Sequence, residues 1–302
     1  MTSVVTPPGR DGSAFFARHA LTGFERNLTP GQMDSLIVLK NRILESEYSD
    51  DFRRDPHDGD RLLLQFLRAT MSDKRGSRVF DHNAAYDRLV KTLQWRRDYG
   101  IDEIRFGIES GRGDSAKPDG LDVFTQMYPA IDCIDETTDV LIRFQRFGQF
   151  IASVDFTVLT QDQWIRCCAH ECLLVQHKLR ELSAKLRRDV STYYVVTDMK
   201  HMSFMGVVQK LNQLKMIASV VSDHFPETME QTFLINCPWV FPATFTVARP
   251  FLDKDVVAKF VITKSVPEDD FQRLLRNRRF PVEYGGNGPC VLPPCQFPRH
   301  ND

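Results

Sequence analysis

Residues 223–263 read DHFPETMEQTFLINCPWVFPATFTVARPFLDKDVVAKFVIT. The stretch begins on a helix end, passes through a short apolar strand, enters an apolar helix and returns to a second strand. Between Pro238 and Leu252 it places Trp239, Val240, Phe241, Phe245, Val247, Phe251 and Leu252, punctuated by Pro242 and Pro250. A helix that crosses a bilayer needs about 20 apolar residues in a row, so this segment is too short and too polar to span one. It is apolar nearly all round, which demands apolar surroundings on more than one side. A protein core meets that demand. A lipid chain on one side and a membrane on the other meets it equally well.

Working outward, the sequence alternates helical and strand patterns. Thr29, Pro30 and Gln32 form a helix start with a capping box, and Met33, Leu36, Ile37, Leu39, Ile43 and Leu44 follow at three- and four-residue steps. Further helices are expected at 60–69 and 81–99, the latter ended by Gly100. The glycine- and charge-rich run 107–120, which includes GRGD at 111–114, reads as turn chemistry in a linker, and 121–130 reads as an edge strand or a loop. A strand is expected at 140–147, with Gly148 turning the chain. Thr160 and Gln163 open a long helix to about Arg188. Strands at 191–197, 232–237 and 257–263 alternate with helices at 206–222, 240–250 and 267–278. This order predicts an α/β fold: an N-terminal helical lobe, then a mixed, largely parallel sheet flanked by helices.

Composition bounds the function. Lys and Arg total 39 against 40 Asp and Glu, so no global field steers the chain toward nucleic acid. Seven cysteines without regular spacing point to reduced thiols and a cytoplasmic chain. The first thirty residues lack an apolar core, so no leader is read there. Cys168 and Cys172, with Cys167 and His177 nearby, tempt a metal reading. No second ligand pair accompanies them, and they are read as small buried apolar residues. Cys290 and Cys295 leave a disulfide open. No Walker loop, dinucleotide glycines, nucleophile elbow or zinc-protease helix occurs, so the residues give no support to an enzyme.

Four blocks of the sequence, DHFPE (223–227), FLINCPWVF (233–241), PFLDKDVVAKFVI (250–262) and PVEYGG (281–286), resemble in order and spacing the CRAL-TRIO lipid-binding domain family, and its phosphatidylinositol/phosphatidylcholine transfer members in particular. LLLQFLRAT (62–70) and KTLQWRRDYGID (91–102) are similar to the helical lobe that precedes the domain, where Phe66 and Trp95 are read as core. The resemblance implies a tail over 1–27, the lobe over 28–103, a linker over 104–119, the lipid domain over 120–289 and a second tail over 290–302. It also implies an internal hydrophobic pocket closed by a gating helix built from Trp239, Val240, Phe241, Phe245, Val247 and Phe251.

The same resemblance implies a headgroup site at Glu227 and Lys259, with Lys74 and Arg75 standing in for an Arg-Lys pair that this chain lacks after FLRA. A carboxylate accepts hydrogen bonds from inositol hydroxyls, and an ammonium neutralises phosphate. Three departures are plain. Val256 replaces a phosphate-binding threonine, Tyr193 and Val195 replace a serine and a threonine associated with phosphatidylcholine, and His201 stands where the Asp198-x-Lys200 turn usually carries glycine. The expected ligand is phosphatidylinositol or a phosphoinositide, held without any other cofactor by a monomer that visits membranes transiently. A carrier of another hydrophobic ligand (tocopherol-, retinoid- or sterol-like) and a regulatory or scaffold module are the alternatives.

Overall fold

The computed structural model describes residues 24, 27–54, 59–74, 77–111, 117–251, 254–288 and 291–296. The chain divides into two compact units between Val90 and Lys91.

The first unit is helical. α1 (Pro30–Leu44) begins with the expected capping box, Thr29 and Gln32 each accepting the other's backbone N–H. α2 (Ser49–Arg53) and α3 (Gly59–Ala69) follow, with Leu39, Ile43, Leu63, Phe66 and Leu67 fully buried. β1 (Ser72–Lys74) and β2 (Ser77–Val79) form a small antiparallel hairpin, after which α4 (His82–Asp98) starts.

The second unit is built on a five-stranded sheet in sequential order. β3 (Ala130–Asp135) pairs antiparallel with β4 (Val140–Gln145). β4, β5 (Tyr193–Asp198), β6 (Met229–Ile235) and β7 (Phe260–Ile262) run parallel. The expected mixed, largely parallel sheet is therefore present. Its connections are α7 (Phe147–Ser153) with α8 (Gln161–Leu186), then α9 (Phe204–Gln209) with α10 (Leu211–His224), then α11 (Phe241–Ala248) with α12 (Lys254–Ala258). α8 opens on the Thr160/Gln163 capping box.

Side-chain alternation divides the sheet into two faces. Leu141, Tyr193 and Val195 pack on Val175, Leu179 and Leu182 of α8. The opposite face carries Phe144 and Phe233, which meet Phe271 of α13 (Glu268–Leu274) edge-on, while Phe280 and Tyr284 stack on Phe144.

Several elements differ from expectation. Residues 101–109 form α5 (Ile101–Glu109), reaching into the expected linker, while 112–116 lie outside the described residues. α6 (Leu121–Met127) is a helix, and the edge strand is β3, just beyond it. Aspartates are poor strand formers, but both in β3 are held. Asp132 receives two hydrogen bonds from the Arg143 guanidinium and one from Lys178, and Asp135 accepts from the N–H groups of Thr137 and Asn277. Gly148 lies inside α7 rather than at a turn, and glycine stands there because a Cβ would be 2.1 Å from the Lys200 carbonyl oxygen. The expected helix at 206–222 is two helices that break at Lys210, and the start of the expected strand at 257–263 belongs to α12, leaving only three strand residues.

Candidate functional site

β6 and β7 are parallel, so the residues that precede them emerge at the same end of the sheet. Glu227 lies two residues before β6 and Lys259 immediately before β7, and Lys259 Nζ donates to Glu227 Oε1 at 3.1 Å. Lys259 is buried, and its carbonyl accepts the Thr232 N–H, which ties the strand entry to β6. Glu227 adopts φ 55°, the left-handed region that costs an L-residue about 1–2 kcal/mol. The backbone holds this strained turn with the carboxylate laid on the ammonium.

Of the other positions named for a headgroup, Lys74 closes β1 opposite Ser77, while its side chain and Arg75 lie outside the described residues. Val256 sits in α12 and offers no hydroxyl. Tyr193 and Val195 are buried against α8, and burial pushes the Tyr193 hydroxyl well above its ordinary pKa. No pair of small hydroxyls is present at these two positions of β5.

The apolar helix of the opening stretch is α11. Phe241 is buried and stacks on Phe245 at 5.6 Å between ring centroids, and Phe245 reaches Phe260 of β7 at 6.1 Å. Val240 and Val247 are half-buried, and the Phe251 side chain lies outside the described residues. Phe260 pairs with Thr232, which in turn pairs with Val195. α11 thus covers the far end of the sheet face that α8 covers at the other. α10 completes that side with Leu214, Met216 and Ile217, all only half-buried.

Trp239, at the head of α11, is 90% exposed. α11 packs on α9, where Met205 is 59% exposed and Phe204 and Val208 are exposed as well. Of these exposed large apolar residues, the sequence reading singles out Trp239 alone. The signal for the rest lies in SFMGVV (203–208), six residues whose apolar members are too many for a short helix to bury.

At the opposite end of the strands, Asp198 closes β5. Its Oδ1 accepts from the Lys200 N–H and Asn236 Nδ2, and its Oδ2 accepts from the Tyr284 hydroxyl at 3.1 Å. His201 keeps the left-handed geometry of a glycine turn, with φ 70°. Among the described residues, no group of three or more His, Cys, Asp or Glu is placed to hold a metal ion. Burial pushes the thiols of Cys167 and Cys172 up to about 12 and that of Cys168 well above its usual value. Cys295 is a buried free thiol, and Cys290 lies outside the described residues. No helix among the described residues is long and apolar enough to cross a membrane.

Comparison with known proteins agrees with this architecture. Residues 144–286 match the CRAL/TRIO domain. The match lies within the second unit, and the relatives that the chain resembles are Sec14-like proteins. It is similar to a CRAL-TRIO domain-containing protein of Saccharomyces cerevisiae, 27% identical over 280 residues that cover 92% of this chain and 85% of that one. It is also similar to the SEC14 cytosolic factor of Kluyveromyces lactis, 27% identical over 266 residues that cover 85% of this chain and 80% of the relative. Among solved structures, the crystal structure of Sfh5 shares the fold with a TM-score of 0.58 and 17% identity, covering 84% of this chain and 88% of that one.

Proposed function

We propose that this chain binds a phospholipid inside its second unit and exchanges or presents it at membranes, without chemistry. The observation that carries this reading is the almost fully exposed Trp239 just ahead of α11, the helix that packs on α9, where Phe204, Met205 and Val208 are exposed as well. Tryptophan is favoured at the membrane interface, where its ring is half in headgroup and half in hydrocarbon. Residues 201–222 and 231–252 contain no Asp or Glu, while Lys210, Lys215 and Arg249 lie within them. Such a surface meets an anionic bilayer without charge repulsion.

α11 is the mobile cover in this reading. Pro238 and Pro250 mark its ends, and the contact of Phe245 with Phe260 of β7 is what must part when it swings away, carrying the Phe241–Phe245 stack with it. Each methylene of an acyl chain taken in contributes about 0.8 kcal/mol, so an internal site competes with the bilayer for a two-chain lipid. The headgroup belongs to the Glu227–Lys259 pair: the ammonium takes phosphate and the carboxylate takes inositol hydroxyls, which makes phosphatidylinositol or a phosphoinositide the ligand. Val256, Tyr193 and Val195 leave phosphatidylcholine without its usual hydroxyls.

Native mass spectrometry of the untreated protein, followed by lipid extraction, tests this. Phosphatidylinositol enriched over its share of the host membranes supports the assignment. No enrichment, together with unchanged lipid transfer by Glu227→Ala/Lys259→Ala, sinks it.

A further inference from the structure

The second unit carries a polar cleft at the carboxyl ends of β4, β5 and β6, the opposite end of the sheet from Glu227 and Lys259. It encloses about 290 Å³. The crevice outside the carboxyl ends of parallel strands is where open α/β sheets receive ligands, and nothing in the lipid reading uses this one.

Its charges are unevenly committed. Glu283 is held through both carboxylate oxygens by Arg146 at 2.7 Å, and Asp198 is buried beneath three hydrogen-bond donors. Both acids are therefore occupied by their own frame. Lys200 and His201 are exposed on the rim, and neither makes an ion pair among the described residues. Gln149 and Asn236 add neutral amides to the lining.

Two backbone features fix the rim. His201 is held at φ 70°, a conformation that glycine adopts freely and that costs an imidazole-bearing residue about 1–2 kcal/mol. Residues kept in such strained positions concentrate at binding sites. Gly148 lets α7 press against the carbonyl of Lys200, where no Cβ fits. The turn that presents Lys200 and His201 is thus clamped, not loose.

We propose that this cleft binds a phosphate monoester, with Lys200 and His201 contacting the phosphate oxygens and the Asn236 and Gln149 amides lining the remainder. A phosphorylated lipid headgroup and a soluble phosphate ester offer the same chemistry. The site stands independently of the lipid held inside the domain.

The test uses the full chain labelled with nitrogen-15 and titrated with inorganic phosphate. Saturable shifts of the Lys200, His201 and Asn236 amides are expected. Affinity is expected to fall about tenfold in Lys200→Gln and about tenfold in His201→Gly, since each variant deletes one charge-assisted hydrogen bond to the anion. His201→Gly relieves the strained backbone and stays folded, so its loss of binding is not a loss of structure. In parallel, flotation compares vesicles of phosphatidylcholine alone with vesicles containing phosphatidic acid. Binding to phosphatidic acid vesicles that the two variants weaken assigns the site to a lipid headgroup, whereas phosphate binding without vesicle discrimination assigns it to a soluble ester. If neither phosphate nor vesicle binding responds to the two variants, the cleft is not a phosphate site, whatever lipid copurifies with the protein.

Discussion

Lys259 Nζ lies 3.1 Å from Glu227 Oε1, and the two partners are unequally buried: the lysine side chain is 9% exposed and the glutamate 26%. Removing either one therefore has a different cost. Glu227→Ala leaves a buried ammonium without its carboxylate and is expected to destabilise by about 3 kcal/mol. Lys259→Met keeps the aliphatic stem and leaves a carboxylate that water reaches, at about 1 kcal/mol. Glu227→Gly is expected to be about 1 kcal/mol more stable than Glu227→Ala, because glycine relieves the φ of 55°. Urea denaturation of the three variants checks the order, and equal losses for Glu227→Ala and Lys259→Met would refute the asymmetry.

Much of this pair is legible in the sequence, but for a limited reason. Glu227 and Lys259 stand out through a family resemblance; no spacing rule brings positions 32 residues apart together. The parallel register of β6 on β7 does that, and register is a property of the sheet. Local signals serve better where the physics is local. Both capping boxes, at Thr29 and Thr160, form as their residue types require. β3 escapes a reading of the sequence because its aspartates look unlike strand residues until Arg143 and Lys178 are folded against Asp132. Gly148 reads as a turn for the same reason: the nearby carbonyl that excludes a side chain comes from Lys200, 52 residues on.

Asp132 sets an acid limit on the second unit. Burial alone raises its carboxyl, but Arg143 and Lys178 outweigh that and hold its pKa below the ordinary 3.8. A depressed pKa stabilises the fold fully above the unfolded value, and the contribution is lost as pH falls through the folded one. Stability is thus expected to decline below about pH 4, with the decline flattened in Asp132→Asn. At neutral pH that variant is expected to lose about 3 kcal/mol, since Arg143 and Lys178 lose a buried counter-charge. Denaturation midpoints across an acid series measure both effects, and an unchanged acid limb in Asp132→Asn would remove this carboxyl from the explanation.

Gly148→Ala reverses the usual helix rule. Alanine in a helix interior is ordinarily about 1 kcal/mol better than glycine. Here the added methyl would meet the Lys200 carbonyl oxygen at 2.1 Å and the Met199 carbonyl carbon at 2.4 Å, both backbone atoms that cannot step aside. A net loss of about 1–3 kcal/mol is expected, with disturbed amide resonances in the 198–201 turn. A stabilised Gly148→Ala would mean that α7 is free to move away from β5.

Trp239 separates folding from membrane contact. At 90% exposure its ring contributes little to the core, so Trp239→Ala is expected to change stability by no more than about 0.5 kcal/mol. If the ring enters the interface, binding to phosphatidylcholine vesicles containing phosphatidylserine weakens in Trp239→Ala, and the wild-type emission shifts to the blue on vesicle addition. Trp95 and Trp164 are buried, with Trp95 stacked on His224 at 3.9 Å and Trp164 donating to the Phe156 carbonyl, so they contribute a constant background. Met205→Ser on α9 is expected to act in the same direction, because α9 packs on α11, the helix that Trp239 precedes, and Met205 is exposed there. Co-sedimentation that is indifferent to both substitutions would detach this surface from membranes and leave α11 as an ordinary packed helix.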